Sequence, residues 1–396
     1  VSVRLSDEQR ALRDAVRELA DERVAPRAAE IDLTGEFPWD LVELLAQHDV
    51  LALPFPAEYG GLGADLLTLC VAVEQLSRAC ATTGLILAVH ELGSTPLLLA
   101  GTDEQKQRWI PDLAAGKALV AYALTEAEAG SDAAALRTRA VRDGDAWRID
   151  GSKRFISQGS VAKLVAVFAL TDPDPEAVKA YRHLTCFYVE QGMPGFGAGK
   201  LEHKMGIRGS PTAELVFDGV VVPDSNRVGE VGEGWQLAMR TFERSRPGIA
   251  AQALGIAQGA LEVASRYAAE RKQFGRPIAD FQMVAAMLAD MATQTEAARQ
   301  LLYTACEEIE AAGQGGGSST GGEMSPARWA AMAKLFCGDV AMAVTTDAVQ
   351  VLGGYGYISE YPTERMMRDA KITQLYEGTQ QIQRLIIARD LIASLR

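Results

Sequence analysis

Residues that carry metal and disulfide chemistry are scarce in this 396-residue chain. It has four histidines (His48, His90, His183, His203) and five cysteines (Cys70, Cys80, Cys186, Cys306, Cys337). The cysteines are odd in number and share no short spacing. No CxxC, HExxH or HxxxH occurs, which argues against a disulfide framework, a zinc knuckle and a histidine metal site. Positive charge is also short, with 39 Lys and Arg against 52 Asp and Glu, a formal charge of −13. A nucleic acid or an anionic membrane is therefore a poor partner. The N-terminus VSVRLSDEQR lacks the apolar core of a signal segment. The longest uncharged run, Pro247 to Leu261, contains Gln252 and Gln258 and falls short of a membrane span. These features predict a cytoplasmic protein with no membrane span. No GxGxxG follows a strand: the glycine clusters at Gly60-Gly61-x-Gly63 and Gly353-Gly354-x-Gly356 have the wrong spacing for a Rossmann turn.

What is present is an ordinary globular composition, 48% hydrophobic and 23% charged, in a chain long enough for two or three domains. Leu5, Leu12, Val16 and Leu19 recur at helical spacing after Ser6, and Gln9 can complete a capping box with that serine. Leu53–Gly63 is a turn-rich connector, and a helix is predicted over Leu66–Arg78. The character changes near Ala118. Asp143-Gly144 and Asp150-Gly151 read as hairpin turns on either side of AWRID. The runs 164–170, 184–190 and 214–222 are rich in β-branched and aromatic residues, as strands are.

From Gly234 the pattern is helical again. One series is Leu254, Ala257, Leu261, Ala264 and Ala268; another is Val284, Leu288, Met291, Thr295, Ala298 and Leu302. A third is Met332, Leu335, Phe336, Val340 and Ala343. Met283, Met287 and Met291 read as core by their helical spacing, His90 as a packed or exposed histidine, and Gly313–Gly322 as a flexible linker. Segregated helices, strands and helices predict an α+β, mainly α protein, with segments 1–118, 119–232 and 233–396.

A series of local strings in one order carries the function: AYALTEAEAGSD (121–132), RFISQG (154–159), KMGIRGSPTAELVFDGVVVP (204–223), ERSRP (243–247), ERKQFGRPIADFQ (270–282), QVLGGYGY (350–357) and LYEGTQQIQRLIIAR (375–389). Together they closely resemble the acyl-CoA dehydrogenase family over essentially the whole chain. The resemblance implies an N-terminal helical domain, a middle β-barrel-like domain and a C-terminal four-helix bundle. It implies FAD as cofactor, an acyl-CoA substrate, an electron-transfer flavoprotein as electron acceptor, and a homotetramer. It identifies Glu377 with the base that takes the α-proton of a short- or medium-chain acyl thioester while flavin N5 takes the β-hydride. A carboxylate buried in an apolar pocket suits that task, because desolvation raises its pKa toward neutrality.

By the same resemblance, Tyr122, Leu124, Thr125, Ser131, Phe155, Ile156 and Ser157 meet the flavin ring, with Phe155 where tryptophan is more usual. Arg271, Phe274 and Gln282, reaching across a subunit boundary, join Gln350, Gly353 and Gly354 at the pyrophosphate and adenosine. Thr379 and Gln381 add contacts to FAD, while Ser131, Glu243, Arg246, Tyr376 and Gly378 contact the substrate. Glu243 stands where the family often has Asp, and a surface ion pair with Arg246 is the plainer account of it. A helix C-cap is the plainer account of Gly353-Gly354. The stretch Ala79–Gln105 holds no Arg or Lys, which weighs against a substrate with a distal carboxylate. An oxidase or monooxygenase on the same fold is the alternative, and a non-catalytic scaffold is the alternative from another class.

Overall fold

The computed structural model describes residues 4–313 and 324–395, so most of the glycine-rich linker lies outside the described residues. Helix α1 (Asp7–Leu19) starts at the expected capping box: Ser6 Oγ accepts from the Gln9 N–H at 3.1 Å, and the Gln9 side chain accepts from the Ser6 N–H at 3.0 Å. Helices α2 (Ala28–Thr34), α3 (Trp39–Gln47), α4 (Leu66–Ala79), α5 (Ala81–Ala100) and α6 (Asp103–Ala114) follow. α5 is apolar nearly all round because it is packed nearly all round. At Gly93 it passes so close to the first strand that an added Cβ would lie 2.9 Å from the Val120 carbonyl oxygen.

The strands are β1 (Val120–Ala123), β2 (Arg139–Asp143), β3 (Ala146–Ser157), β4 (Leu164–Leu170), β5 (Leu184–Glu190), β6 (Phe196–Leu201), β7 (Thr212–Pro223) and β8 (Arg227–Val228). They form one mixed sheet in the order β6-β7-β3-β2-β4-β5-β8, with β1 parallel to β4. Alternation along β4 explains its continuous apolar run. Leu164, Ala166 and Phe168 pack toward α5, α6 and the helix that follows the sheet, while Val165, Val167 and Ala169 join Trp147, Phe187, Leu215 and Phe217 in a second core. A sheet buried on both faces has no polar side to show. Asp143-Gly144 is a hairpin turn between β2 and β3, as expected. Asp150-Gly151 is not. It sits inside β3 at a register shift, where Gly151 has φ +142° and an added Cβ would lie 2.8 Å from Thr138. The dipeptide signal marks a bulge there instead of a turn.

After the sheet and the short helix α7 (Pro175–Lys179) within it, α8 (Gly234–Glu270), α9 (Gln282–Gly313), α10 (Pro326–Leu352), α11 (Thr363–Ile372) and α12 (Gln380–Ala393) build the second helical region. Leu254, Ala257, Ala264 and Ala268 line the buried face of α8. The methionine series in α9 is fully buried only at Met291, with Met287 partly buried against the core; Met283 is 78% exposed, because among the described residues nothing covers that face of the first turn of α9. α5 and the segment Pro326–Gly356 are long and apolar enough to cross a membrane, a length the longest uncharged run did not indicate. α5 is mostly buried among other elements of the fold, which is the environment that its apolar surface requires.

Candidate active site

A cavity of about 430 Å3 opens where the ends of β1 and β3 meet α5, α8 and the loop between α11 and α12. Its apolar wall comes from Leu85, Val89 and Leu92 of α5 and from Met239, Phe242 and Ile249 of α8. The end of β1 brings Tyr122, Leu124 and Thr125, the loop beyond it brings Ser131, and β3 ends in Phe155, Ile156 and Ser157. Tyr376, Glu377 and Gly378 close the far side beside Arg246. Eleven residues singled out in the sequence, drawn from four distant segments, thus line one hollow.

Two backbone observations mark this hollow as more than a packing gap. Phe155 has φ +58°, and its ring is 60% exposed. Glu377 has φ +51°, and Gly378 beside it has φ +93°. A non-glycine residue held in the left-handed region is strained, and such strain gathers at functional sites.

The Glu377 conformation is held by several groups. Its carbonyl accepts from Arg246 Nε at 3.2 Å and from Gln383 Nε2 at 3.1 Å. The Gly378 carbonyl accepts from Gln383 at 2.9 Å and from Lys334 Nζ at 2.7 Å. Tyr376 donates its hydroxyl to Gln252. The carboxylate accepts from Ser245 Oγ at 2.7 Å. Burial pushes the Glu377 carboxyl up from 4.5 to about 7, against the opposing pull of the Ser245 hydrogen bond and of the Arg246 and Lys334 charges. Desolvation outweighs two nearby cations. The group is therefore half-ionised near neutrality, the range in which a carboxylate can both take and release a proton.

The cavity has the polar features that a flavin ring requires. The Tyr122 hydroxyl is buried without a hydrogen-bond partner, and the hydroxyl residues Thr125, Ser131 and Ser157 lie on the same wall. A planar heterocycle with donors and acceptors along one edge would satisfy them, and the exposed Phe155 ring supplies a flat apolar surface.

The remaining predicted residues do not line this cavity. Arg271, Gly353 and Gly354 line a separate hollow of about 500 Å3 with Tyr267 and Tyr355, where the Arg271 guanidinium stacks 5.3 Å from the Tyr355 ring centroid. Phe274 has φ +52° and is 93% exposed. Gln282, Gln350 and Gln381 are exposed on helix surfaces. Thr379 caps α12, accepting from the Ile382 N–H at 3.4 Å. Glu243 is half-buried, and burial raises its carboxyl while Arg246 lowers it. No ion pair joins the two, because Arg246 is turned toward the Glu377 carbonyl. His90 is packed, with Nε2 3.1 Å from the Leu113 carbonyl oxygen.

Three groups at the base escaped the sequence reading in any functional role. Ser245 lay inside the ERSRP string and Gln383 inside LYEGTQQIQRLIIAR, and both could have been noticed there; Lys334 carried no signal. Tyr181 and Trp235, stacked at 5.2 Å on the cavity wall, also went unmarked.

Residues 6–117, 121–220 and 232–392 match, in turn, the N-terminal, middle and C-terminal domains of acyl-CoA dehydrogenase. A Clostridium acetobutylicum acyl-CoA dehydrogenase described as short-chain specific is 47% identical over 385 residues, covering 97% of this chain and 98% of that protein. The butyryl-CoA dehydrogenase of Megasphaera elsdenii superposes with a TM-score of 0.93 at 40% identity, covering 99% of this chain and all of that one. A chain from a structure of the electron transferring flavoprotein of Acidaminococcus fermentans gives a TM-score of 0.92 at 44% identity, again over 99% of this chain and all of the other. The chain belongs to the acyl-CoA dehydrogenase family and is an FAD-dependent oxidoreductase that dehydrogenates an acyl-CoA.

Proposed function

We propose that Glu377 is the base that removes the α-proton of a short- or medium-chain acyl-CoA, branched chains included. The observation that carries this reading is the placement of a carboxylate raised by burial to about 7 on the cavity shared by Tyr122, Thr125 and Phe155–Ser157, whose other lining acid, Asp132, is solvent-exposed. FAD, when bound, supplies the two-electron acceptor for the β-hydride.

The protein's own part is to orient and to move a proton. Ser245 holds one carboxylate oxygen, leaving the other to face the substrate. Among the described residues the Glu377 backbone N–H donates to no other group, so it is available to the thioester oxygen, where negative charge grows as the α-proton leaves. Removing such a donor typically costs roughly 3–4 kcal/mol of transition-state stabilisation. The apolar residues of α5 and α8 exclude water from the acyl chain. No residue of Ala79–Gln105 that lines the cavity is charged, which supports an alkyl tail without a distal carboxylate.

Tyr122, Leu124, Thr125, Ser131, Phe155, Ile156 and Ser157 would hold the flavin ring. Arg271, Phe274, Gln282, Gln350, Gly353, Gly354, Thr379 and Gln381 would serve the rest of FAD from a neighbouring copy or the outer surface. The exposure of Phe274 and an Arg271 guanidinium that among the described residues has no carboxylate partner support a homo-oligomeric site, and Arg suits a pyrophosphate because its fork bonds two oxygens. Glu243 and Arg246 remain candidates for the CoA end. Similarity to a chain from a structure of an electron transferring flavoprotein supports such a protein as electron acceptor. Anaerobic titration with acyl-CoAs of graded length tests the substrate range: bleaching of the flavin band by C4 to C8 thioesters is expected, and no bleaching with any of them refutes it. Slow reoxidation of the reduced enzyme in air distinguishes a dehydrogenase from an oxidase.

A further inference from the structure

Beneath the loop that carries Glu377 lies a buried cation that, among the described residues, makes no ion pair. Lys334, on α10, is fully buried. Its ammonium donates to the Gly378 carbonyl at 2.7 Å and to Gln380 Oε1 at 3.2 Å. The Gln380 amide is aimed at it by its own donations to the Leu335 carbonyl at 2.7 Å and Asp339 Oδ1 at 2.9 Å. Among the described residues, no carboxylate lies within ion-pair distance of Lys334. A neutral donor would satisfy a carbonyl and an amide oxygen as well, without the desolvation that a buried charge imposes. What a neutral donor bound to those two oxygens does far less well is stabilise a negative charge that it does not touch.

We propose that Lys334 is a positioning residue for the base, clamping the Gly378 carbonyl from below and, with Arg246, supplying the positive field in which the Glu377 carboxylate ionises. This inference rests on Glu377 being the base.

The groups that face the site support a specific role for this charge. Glu377 is felt from α8 by Arg246 and the Ser245 hydroxyl, from α10 by Lys334, from α5 by the buried acid Glu91, and from β1 and its own loop by Tyr122 and Tyr376. Lys334 in turn feels Glu377, Arg246 and Asp339. Burial pulls the Lys334 ammonium down from 10.5 to about 7, with the Glu377 charge opposing it. Each group thus helps the other to stay ionised, and the two titrate as a pair. Arg246 grips the Glu377 carbonyl and Lys334 grips the next carbonyl along, so the two cations bracket the strained peptide. Loss of Lys334 leaves Arg246 as the remaining cation acting on the carboxylate, so the neutral acid gains and ionisation shifts to higher pH.

The test is the pH dependence of flavin reduction by an acyl-CoA, followed by anaerobic stopped flow in the FAD-loaded wild type, Lys334→Met, Lys334→Gln and Glu377→Gln. Lys334→Gln keeps a donor to the Gly378 carbonyl without the charge, so it provides a second variant if the methionine form does not fold. Both Lys334 variants should move the ascending limb of the rate profile upward by about one unit, the scale on which one nearby charge acts. The glutamine form should keep the higher plateau. An ascending limb unmoved in the variants that bind FAD and melt near the wild-type temperature overturns the inference, as does an equal loss of rate at every pH. If the limb persists in Glu377→Gln, the base assignment itself has failed. If it vanishes there and yet stays fixed in the Lys334 variants, the role of Lys334 alone is refuted.

Discussion

Glu377→Gln should make the protein more stable and nearly inactive, and the gain in stability should depend on pH. The carboxyl titrates at about 7 in the folded chain, against an ordinary value of 4.5. A raised carboxyl binds its proton more tightly folded than unfolded, so stability falls as pH rises from about 4.5 to about 7. Above that range the whole penalty is present, about 3 kcal/mol at roughly 1.4 kcal/mol per unit. Glutamine keeps the shape without the titrating proton. Denaturant curves at matched FAD excess should therefore coincide near pH 4.5 and separate by about 3 kcal/mol at pH 8. For a chain of this length that corresponds to a rise of roughly 4 °C in melting temperature. Turnover should fall by at least ~10²–10⁴, the usual contribution of a positioned base. Equal stability at pH 8, or a gain of the same size at both pH values, would refute the burial argument. Near-normal turnover would remove Glu377 from the mechanism.

Three further outcomes follow from named contacts. Gly378→Ala places a Cβ 2.7 Å from Gln383 Nε2 at φ +93°; we expect a loss of ~1–3 kcal/mol in denaturation and a drop in the rate of flavin reduction as the Gln383 clamp shifts. Arg271→Ala should weaken FAD retention about 10–100-fold, the equivalent of one charge-assisted contact; unchanged FAD content after dialysis would exclude Arg271 from the cofactor site. Lys153 is fully buried and donates to Glu126 at 2.8 Å and to the Leu124 carbonyl at 3.0 Å. Lys153→Met leaves that acid without its cation, held only by the Arg137 and Thr138 N–H groups behind the predicted flavin turn, so thermal melting should report a loss of about 3 kcal/mol.

Local pattern made a good part of the fold legible. The Ser6–Gln9 cap, the strands over 164–170 and 184–190 and the buried face of α8 are each set by neighbours within a turn or a pleat, where spacing carries the information. The misses occurred where the deciding partner was remote. Asp150-Gly151 looks like a turn until β7 pairs alongside and leaves it inside a strand. Met283 has core spacing, but among the described residues no element covers it. α5 was hidden because its polar residues His90, Glu91, Ser94 and Thr95 interrupt the apolar pattern; Ser94 and Thr95 bond back to His90 and Glu91 within the helix, and His90 finds the Leu113 carbonyl only after packing.

The sequence by itself determined the family and pointed to one glutamate, because chemistry of this kind confines residue identity along short strings. The tertiary structure decided what that glutamate is. Ser245 is 132 positions away in the chain and Lys334 reaches the loop from another helix, so no local spacing could announce either. Whether a carboxyl sits at 4.5 or near 7 depends on how much water the fold removes and which charges it moves close, and those quantities exist only once distant segments have met.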